Sequence, residues 1–181
     1  MAKEARPSGT LFKRLFFALP VSDAQRRDIG QWRRDLALRS GKPVPADNFH
    51  LTLLFLGNVD VAQVPALCAA VDAIKRPAAP LRVVLDQLQV WPRPGILVLE
   101  AQQTPPALRQ LVYALEQAAL ALGIAQEKRE YRPHLTLSRD FPGQVPEAAT
   151  AADFYLTARH FTLYESRKGR YWPLAQWPLA D

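Results

Sequence analysis

The sequence predicts an α+β protein in which layers of sheet and helix form two similar lobes packed as one unit, and three observations carry that prediction. The tetrapeptide His-Leu-Thr-Leu occurs twice, at residues 50–53 and 134–137, which is 134 − 50 = 84 residues apart in a chain of 181. Three segments space their apolar residues as amphipathic helices do. Strand-like runs flank tight turns, and they mix with the helices instead of alternating with them as a doubly wound sheet requires. The chain has the size of one domain, and its 49% hydrophobic content suffices for a real core.

The elements follow in order. Residues 1–13 are polar and basic and contain Pro7 and Gly9, so they read as a flexible tail, with 14–181 as the single folded domain. Residues 14–19 form a buried strand. Ser22 and Gln25 make a capping box, and Ile29, Trp32 and Leu36 keep helical spacing up to Gly41, with the arginines facing outward. Residues 42–47, with Pro43 and Pro45, form a loop into the first motif strand, 49–56, which Gly57 and Asn58 close. Val64, Leu67, Cys68, Val71 and Ile74 mark a second helix, ended by Pro77 and Pro80. Residues 81–90 and 96–101 read as two strands of a hairpin around the turn at 91–95. Thr104 caps a third helix with Pro105 at its first position. Leu108, Leu111, Val112, Leu115, Ala118, Ala119 and Leu122 form its stripe, and Gly123 stops it. A short strand near 124–127, the second motif strand at 133–139, and strands at 154–165 and 171–177 complete the chain.

Charge and composition narrow the function classes. The balance of 23 Lys+Arg against 17 Asp+Glu gives +6. Basic residues gather around Arg26, Arg27, Arg33, Arg34, Arg39 and Lys42, and again at 167–170. Such a surface suits a polyanion such as RNA as well as it suits simple solubility. One cysteine, Cys68, forbids an intrachain disulfide and fits a reducing, cytoplasmic setting. No stretch approaches the roughly 20 apolar residues of a membrane helix, and the expectation is a monomer without a membrane partner. Phosphate loops, dinucleotide fingerprints and Cys-x-x-Cys pairs are absent from the sequence.

The repeated motif uses two of the three histidines. In a strand, residues i and i+2 share a face, so each copy pairs an imidazole with a hydroxyl, His50 with Thr52 and His134 with Thr136, over a leucine back. Four readings compete. Histidines at strand starts often serve only local structure, a role assigned to His160. Metal binding requires more ligands than the motifs offer, since neither carries Cys, Asp or Glu at ligand spacing. A binding module would cradle a phosphate without turnover. Acid–base catalysis at phosphorus without metal would use one imidazole to take a proton from water and the other to protonate the departing oxygen, while the threonines steady the non-bridging oxygens.

The flanks narrow these readings to a family. Asn48-Phe49-His50-Leu51-Thr52-Leu53-Leu54-Phe55-Leu56-Gly57 and Arg132-Pro133-His134-Leu135-Thr136-Leu137-Ser138-Arg139 closely resemble the two motifs of the two-histidine (2H) phosphoesterases. More narrowly they resemble the bacterial RNA 2′,3′-cyclic phosphodiesterases, first described as 2′-5′ RNA ligases. Arg14-Leu15-Phe16-Phe17-Ala18-Leu19 and the closing Leu163-Tyr164-Glu165-Ser166, Gly169, Tyr171 and Trp177-Pro178-Leu179 support the resemblance. It implies two lobes related by a pseudo-two-fold axis around a central groove. It also implies hydrolysis of RNA 2′,3′-cyclic phosphate ends to 2′-phosphates with no cofactor or metal, and the reverse joining of RNA ends through a 2′-5′ bond. His50 would be the proton donor and His134 the acceptor, with Thr52 and Thr136 on the phosphate. Arg139 is a candidate phosphate or base contact, although strict alternation from His134 puts it on the opposite face. Phe16 and Tyr131 are candidates for stacking on a base, and also for core. A 2′-5′ oligoadenylate or small cyclic nucleotide as substrate, and a noncatalytic RNA-end-binding module, stay open.

Overall fold

The computed structural model describes residues 11–124 and 130–179. Among them lie helices α1 (Asp23–Asp35), α2 (Val64–Asp72) and α3 (Pro106–Ala121). The strands are β1 (Phe12–Pro20), β2 (Lys42–Pro43), β3 (His50–Asp60), β4 (Leu81–Leu85), β5 (Gln87–Trp91), β6 (Ile96–Glu100), β7 (His134–Arg139), β8 (Phe154–Ala158), β9 (His160–Arg167) and β10 (Arg170–Pro178). They pair antiparallel in the orders β10-β9-β1-β3, β2-β7-β6-β5 and β4-β8, so the fold is α+β.

Local sequence explains most boundaries. β1 starts at Phe12, two residues inside the expected tail, of which residues 1–10 lie outside the described residues. It runs between β9 and β3, which is why 15–19 are buried without a break. The Ser22 hydroxyl accepts from the Gln25 N–H at 3.2 Å and starts α1. The helix ends at Asp35 instead of reaching Gly41, because Leu36 caps it and Ala37 turns left-handed at φ 52°. Its arginines are not all outward: Arg33 donates to the carbonyls of Val44 (2.5 Å) and Leu137 (2.9 Å), stapling α1 to the second sheet. α3 starts one residue later than expected, with Pro105 as N-cap, Pro106 in the first turn and no side-chain cap from Thr104.

Three expected strands change. The loop at 42–47 contains β2, paired with β7, and a 3₁₀ turn at Ala46–Asn48. The strand expected at 81–90 breaks at Asp86, whose N–H donates to the Glu100 carbonyl (3.1 Å) and whose carboxylate accepts from the Gln102 N–H (3.0 Å). The strand expected at 154–165 breaks likewise at Arg159, and the freed pieces, β4 and β8, pair with each other. Gly57 and Asn58 do not end β3; Leu15 pairs with Gly57 and Phe16 with Phe55, so Leu56 is an extra residue in a bulge and the strand continues to Asp60. The strand expected at 124–127 falls almost wholly outside the described residues.

The two motif strands sit in matching frames. β1-α1-β3 and β6-α3-β7 are both strand–helix–strand units whose strands pair antiparallel. His50 pairs with Pro20, the last residue of β1, and His134 pairs with Glu100, the last residue of β6. Each unit then skips one motif residue: Ala18 pairs with Thr52 and Phe17 with Leu54, while Val98 pairs with Thr136 and Leu97 with Ser138. Leu53 and Leu137 are the bulged residues, and the first six residues of the two strands share one burial pattern.

The second bulge is backed by Gly41, at φ +83°, where an added Cβ would lie 2.6 Å from Ser138 Oγ and 3.0 Å from Phe141 Cδ1. Gly123, at φ +76°, has no heavy atom within 4 Å of such a Cβ. Gly123→Ala should therefore cost about 1 kcal/mol, the backbone term alone, and Gly41→Ala about 2–3 kcal/mol, read from urea unfolding midpoints. Equal losses would show that the packing against Ser138 gives way freely.

Candidate active site

The bulges decide which side chains reach the groove. Leu51, Leu53, Leu135 and Leu137 are all 2% exposed or less and fix the back of each motif in the core. His50, Thr52, His134 and Thr136 face the other way and are half-buried. Past the bulge the alternation moves by one residue. Ser138 becomes buried, and Arg139 emerges on the same side as Thr136, contrary to the strict alternation that placed it on the far face. Phe55 holds the corresponding position on β3.

A cavity of about 240 Å³ is lined by His50, Thr52, Thr136 and Arg139, together with Arg14, Phe16, Val44, Asn48, Phe55, Ser166 and Tyr171. A wider recess holds His134, Trp91, Tyr131 and Arg132 and shares Thr52 and Phe55 with the first. Thr52 thus stands at the junction, with one imidazole in each space.

Both imidazoles are fixed by the same device. His50 Nδ1 lies 2.8 Å from the Asn48 carbonyl and His134 Nδ1 lies 2.9 Å from the Arg132 carbonyl. A carbonyl only accepts, so each Nδ1 carries hydrogen, and in the neutral ring each Nε2 presents its lone pair. The Thr52 hydroxyl donates to His50 Nε2 at 2.9 Å when that ring is neutral, and accepts from it when the ring is protonated.

The surroundings differ. His50 packs against Phe16 (4.9 Å between ring centroids) and edge-on to Tyr171 (5.1 Å). Burial, with smaller repulsions from His134 and Arg139, lowers its pKa from 6.5 to about 4 against the pull of the Asn48 carbonyl. His134 packs against Trp91 at 4.2 Å. The Arg132 guanidinium lies 4.6 Å over the Trp91 ring, and Arg132 Nε donates to Glu100 at 2.6 Å.

The other candidates take definite places. Phe16, 4% exposed, forms a wall beside His50. The Tyr131 ring lines the wider recess, while its hydroxyl donates 2.8 Å to the Thr52 carbonyl, tying the segment before β7 to β3. Burial pushes the Tyr131 phenol pKa upward. Arg139 donates to the Tyr171 hydroxyl at 3.2 Å across the cavity. His160 opens β9 opposite Pro178 and lines neither space. Among the described residues, no group of three or more His, Cys, Asp and Glu side chains is placed to hold a metal.

Sequence reasoning gave no site role to Asn48, Phe55, Arg14 and Tyr171, which entered only as flanks of the resemblance, nor to Trp91. Asn48 had a readable signal, since it stands two residues before His50 as Arg132 stands two before His134. Trp91 and Tyr171 come from hairpins remote in the chain and carry no local mark.

Comparison with known proteins adds to this geometry. The family model described as LigT like Phosphoesterase matches twice, over residues 19–98 and 99–174, one match around each motif. The RNA 2′,3′-cyclic phosphodiesterase of Escherichia coli (strain K12) is 36% identical over 93% of this chain and 98% of its own. That of Bacillus subtilis (strain 168) is 28% identical over 83% of this chain and 86% of its own. The crystal structure of E. coli LigT complexed with 3′-AMP superposes with a TM-score of 0.82 at 34% identity, covering 94% of this chain and 99% of that one. The same protein complexed with phosphate gives 0.81 at 33% identity, covering 95% and 100%.

The depressed His50 pKa has a sign that can be checked. The folded chain refuses a proton that the unfolded chain accepts below about pH 6.5, so the contribution is whole above that pH and is lost as pH falls toward about 4. The His50 ring-proton resonances should titrate near pH 4. Between pH 7 and 4.5 the native protein should lose on the order of 2 kcal/mol more stability than His50→Asn in urea unfolding. A titration midpoint near 6.5 would contradict the burial argument.

Proposed function

Since the chain belongs to the LigT-like phosphoesterase family, we propose that it hydrolyses the 2′,3′-cyclic phosphate at an RNA end to a 2′-phosphomonoester, with His50 and His134 as the acid–base pair. The observation that carries this reading is the pair of imidazoles, each oriented by an Nδ1–H on a backbone carbonyl so that Nε2 is the proton-exchanging atom, set in spaces that meet at Thr52. The Thr52 and Thr136 hydroxyls would hold the non-bridging oxygens. His134 Nε2 takes a proton from water, whose oxygen attacks phosphorus. The bond to the 3′ oxygen breaks on the far side, and His50 Nε2–H protonates that oxygen. No step calls for a metal. With an RNA 5′ hydroxyl in place of water, the same steps form a 2′-5′ bond: His134 takes the proton of that hydroxyl, its oxygen attacks phosphorus, and the 3′ oxygen leaves protonated by His50.

The acid role of His50 requires a proton it lacks at neutral pH in the free protein. The bound phosphodiester supplies the reason to take one up, because an anion against the imidazole favours its charged form. The neutral state of free His50 also favours a second reading, in which the two histidines exchange roles and the 2′ oxygen leaves.

The remaining parts of the reading are proposals of the same standing. Residues 14–181 act as one domain of two lobes, a view supported by the doubled family match. The protein works as a monomer, since one chain supplies every side chain of the site, and in the cytoplasm, which suits its single cysteine. Among the described residues no helix is long and apolar enough to cross a membrane.

Incubation with RNA ending in a 2′,3′-cyclic phosphate, in the presence of chelator, tests the reaction. The expected product is the 2′-phosphate; a 3′-phosphate would reverse the histidine roles, and absence of product would sink the enzyme reading. His50→Ala and His134→Ala should each lower kcat by about 10²- to 10⁴-fold with the circular dichroism spectrum unchanged. The double variant should lose much less than the product of the single losses, because the pair acts as a unit.

A further inference from the structure

The basic run at residues 167–170 ends in the turn between β9 and β10. Lys168 (φ 54°) and Gly169 (φ 74°) are both left-handed, as a two-residue hairpin turn requires. Arg167, Lys168 and Arg170 are all exposed, and Arg167 pairs directly across from Arg170. Like charges opposite each other destabilise a hairpin. Three other cations around the site are matched by carboxylates, Arg132 by Glu100, Lys42 by Asp140 and Lys13 by Glu165, while the cavity arginines are held by aromatic residues, Arg14 over the Phe55 ring and Arg139 on the Tyr171 hydroxyl. Among the described residues, the three at the turn make no ion pair. Arg167 instead lies 4.9 Å over the Trp172 ring.

The turn is also fixed in place. Asn48 Nδ2 donates to the Gly169 carbonyl at 3.0 Å, and the Asn48 carbonyl accepts from His50. The next register pair inward, Tyr171 with Ser166, lines the cavity. The unmatched charge therefore stands about one strand step, about 3.3 Å, beyond the rim of the site.

We propose that this hairpin tip docks the ribose-phosphate backbone of single-stranded RNA while its terminal cyclic phosphate occupies the cavity, an inference that rests on the phosphodiesterase reading. A terminal nucleotide with a 2′,3′-cyclic phosphate continues only through its 5′ oxygen, so every further phosphate must leave the cavity over its rim. Phosphates beside Arg167, Lys168 and Arg170 relieve the repulsion between the paired arginines and release counterions. The tip makes the enzyme prefer an RNA end over a free cyclic nucleotide.

The test compares Arg167→Gln/Lys168→Gln/Arg170→Gln with the native protein on two substrates, 2′,3′-cyclic AMP and a ten-nucleotide RNA ending in a cyclic phosphate. Turnover of 2′,3′-cyclic AMP should be unchanged, which reports an intact fold and site. The kcat/KM for the RNA should fall at least tenfold at 50 mM salt, through KM. Its slope of log kcat/KM against log salt should flatten by about 2, since each RNA phosphate that a removed cation had neutralised accounts for about 0.7. Equal kcat/KM and equal slopes for native and variant on the RNA would overturn the proposal. If the native protein turns over neither substrate, the phosphodiesterase reading fails first and carries this inference with it.

Discussion

The site depends on a one-residue bulge placed identically after each motif threonine. Without it, the leucines at 53 and 137 would hold the core while every second residue beyond them continued into the groove, and Arg139 would point away from the groove. The bulge lets two consecutive residues stay buried and returns the third to the groove. On β7 the distortion is anchored from three directions. Leu137 offers its carbonyl to the Val44 N–H (3.0 Å) and to Arg33, and Gly41 leaves room beside Ser138. A helix arginine, a short strand and a glycine thus position a groove arginine that none of them touches in sequence.

Electrostatics follows from that placement. Three cationic or potentially cationic groups, His50, His134 and Arg139, are brought close enough for His50 to feel the other two. Burial above all, with this crowding as a smaller contribution, leaves His50 neutral in the free site. An anion bound against the imidazole would favour its charged form, which would make ligand binding and proton uptake one event. The shared tautomer, set by backbone carbonyls two residues upstream, ensures that the proton arrives on Nε2 and not elsewhere on the ring.

Much of this was legible in the sequence because it is local. The helical spacings, the hairpin turn at 91–95 and the strand faces of both motifs need only nearest neighbours to be read. What could not be read needs a partner from elsewhere. The break at Asp86 exists because its polar groups answer residues 100 and 102, and the break at Arg159 accompanies β8 leaving to pair with β4. The groove position of Arg139 depends on register with β6, which no alternation rule along one strand contains. Trp91 and Tyr171 reach the histidines only through tertiary packing, and the Tyr131 hydroxyl finds the Thr52 carbonyl for the same reason.

The two strands are identical through the bulged leucines and then differ at two positions, Leu54 against Ser138 in the core and, facing the groove, Phe55 against Arg139. Phe55 is 48% exposed and has the Arg14 guanidinium 4.8 Å over its ring, whereas Arg139 is tied to Tyr171. Two copies of a single half, assembled as a dimer, would be bound to repeat the same wall twice, and a ligand could then lie in either of two equivalent directions. Joining the halves in one chain frees that position to differ on each side. The groove so acquires a heading: near-symmetric side chains at its centre, with walls that differ from one side to the other.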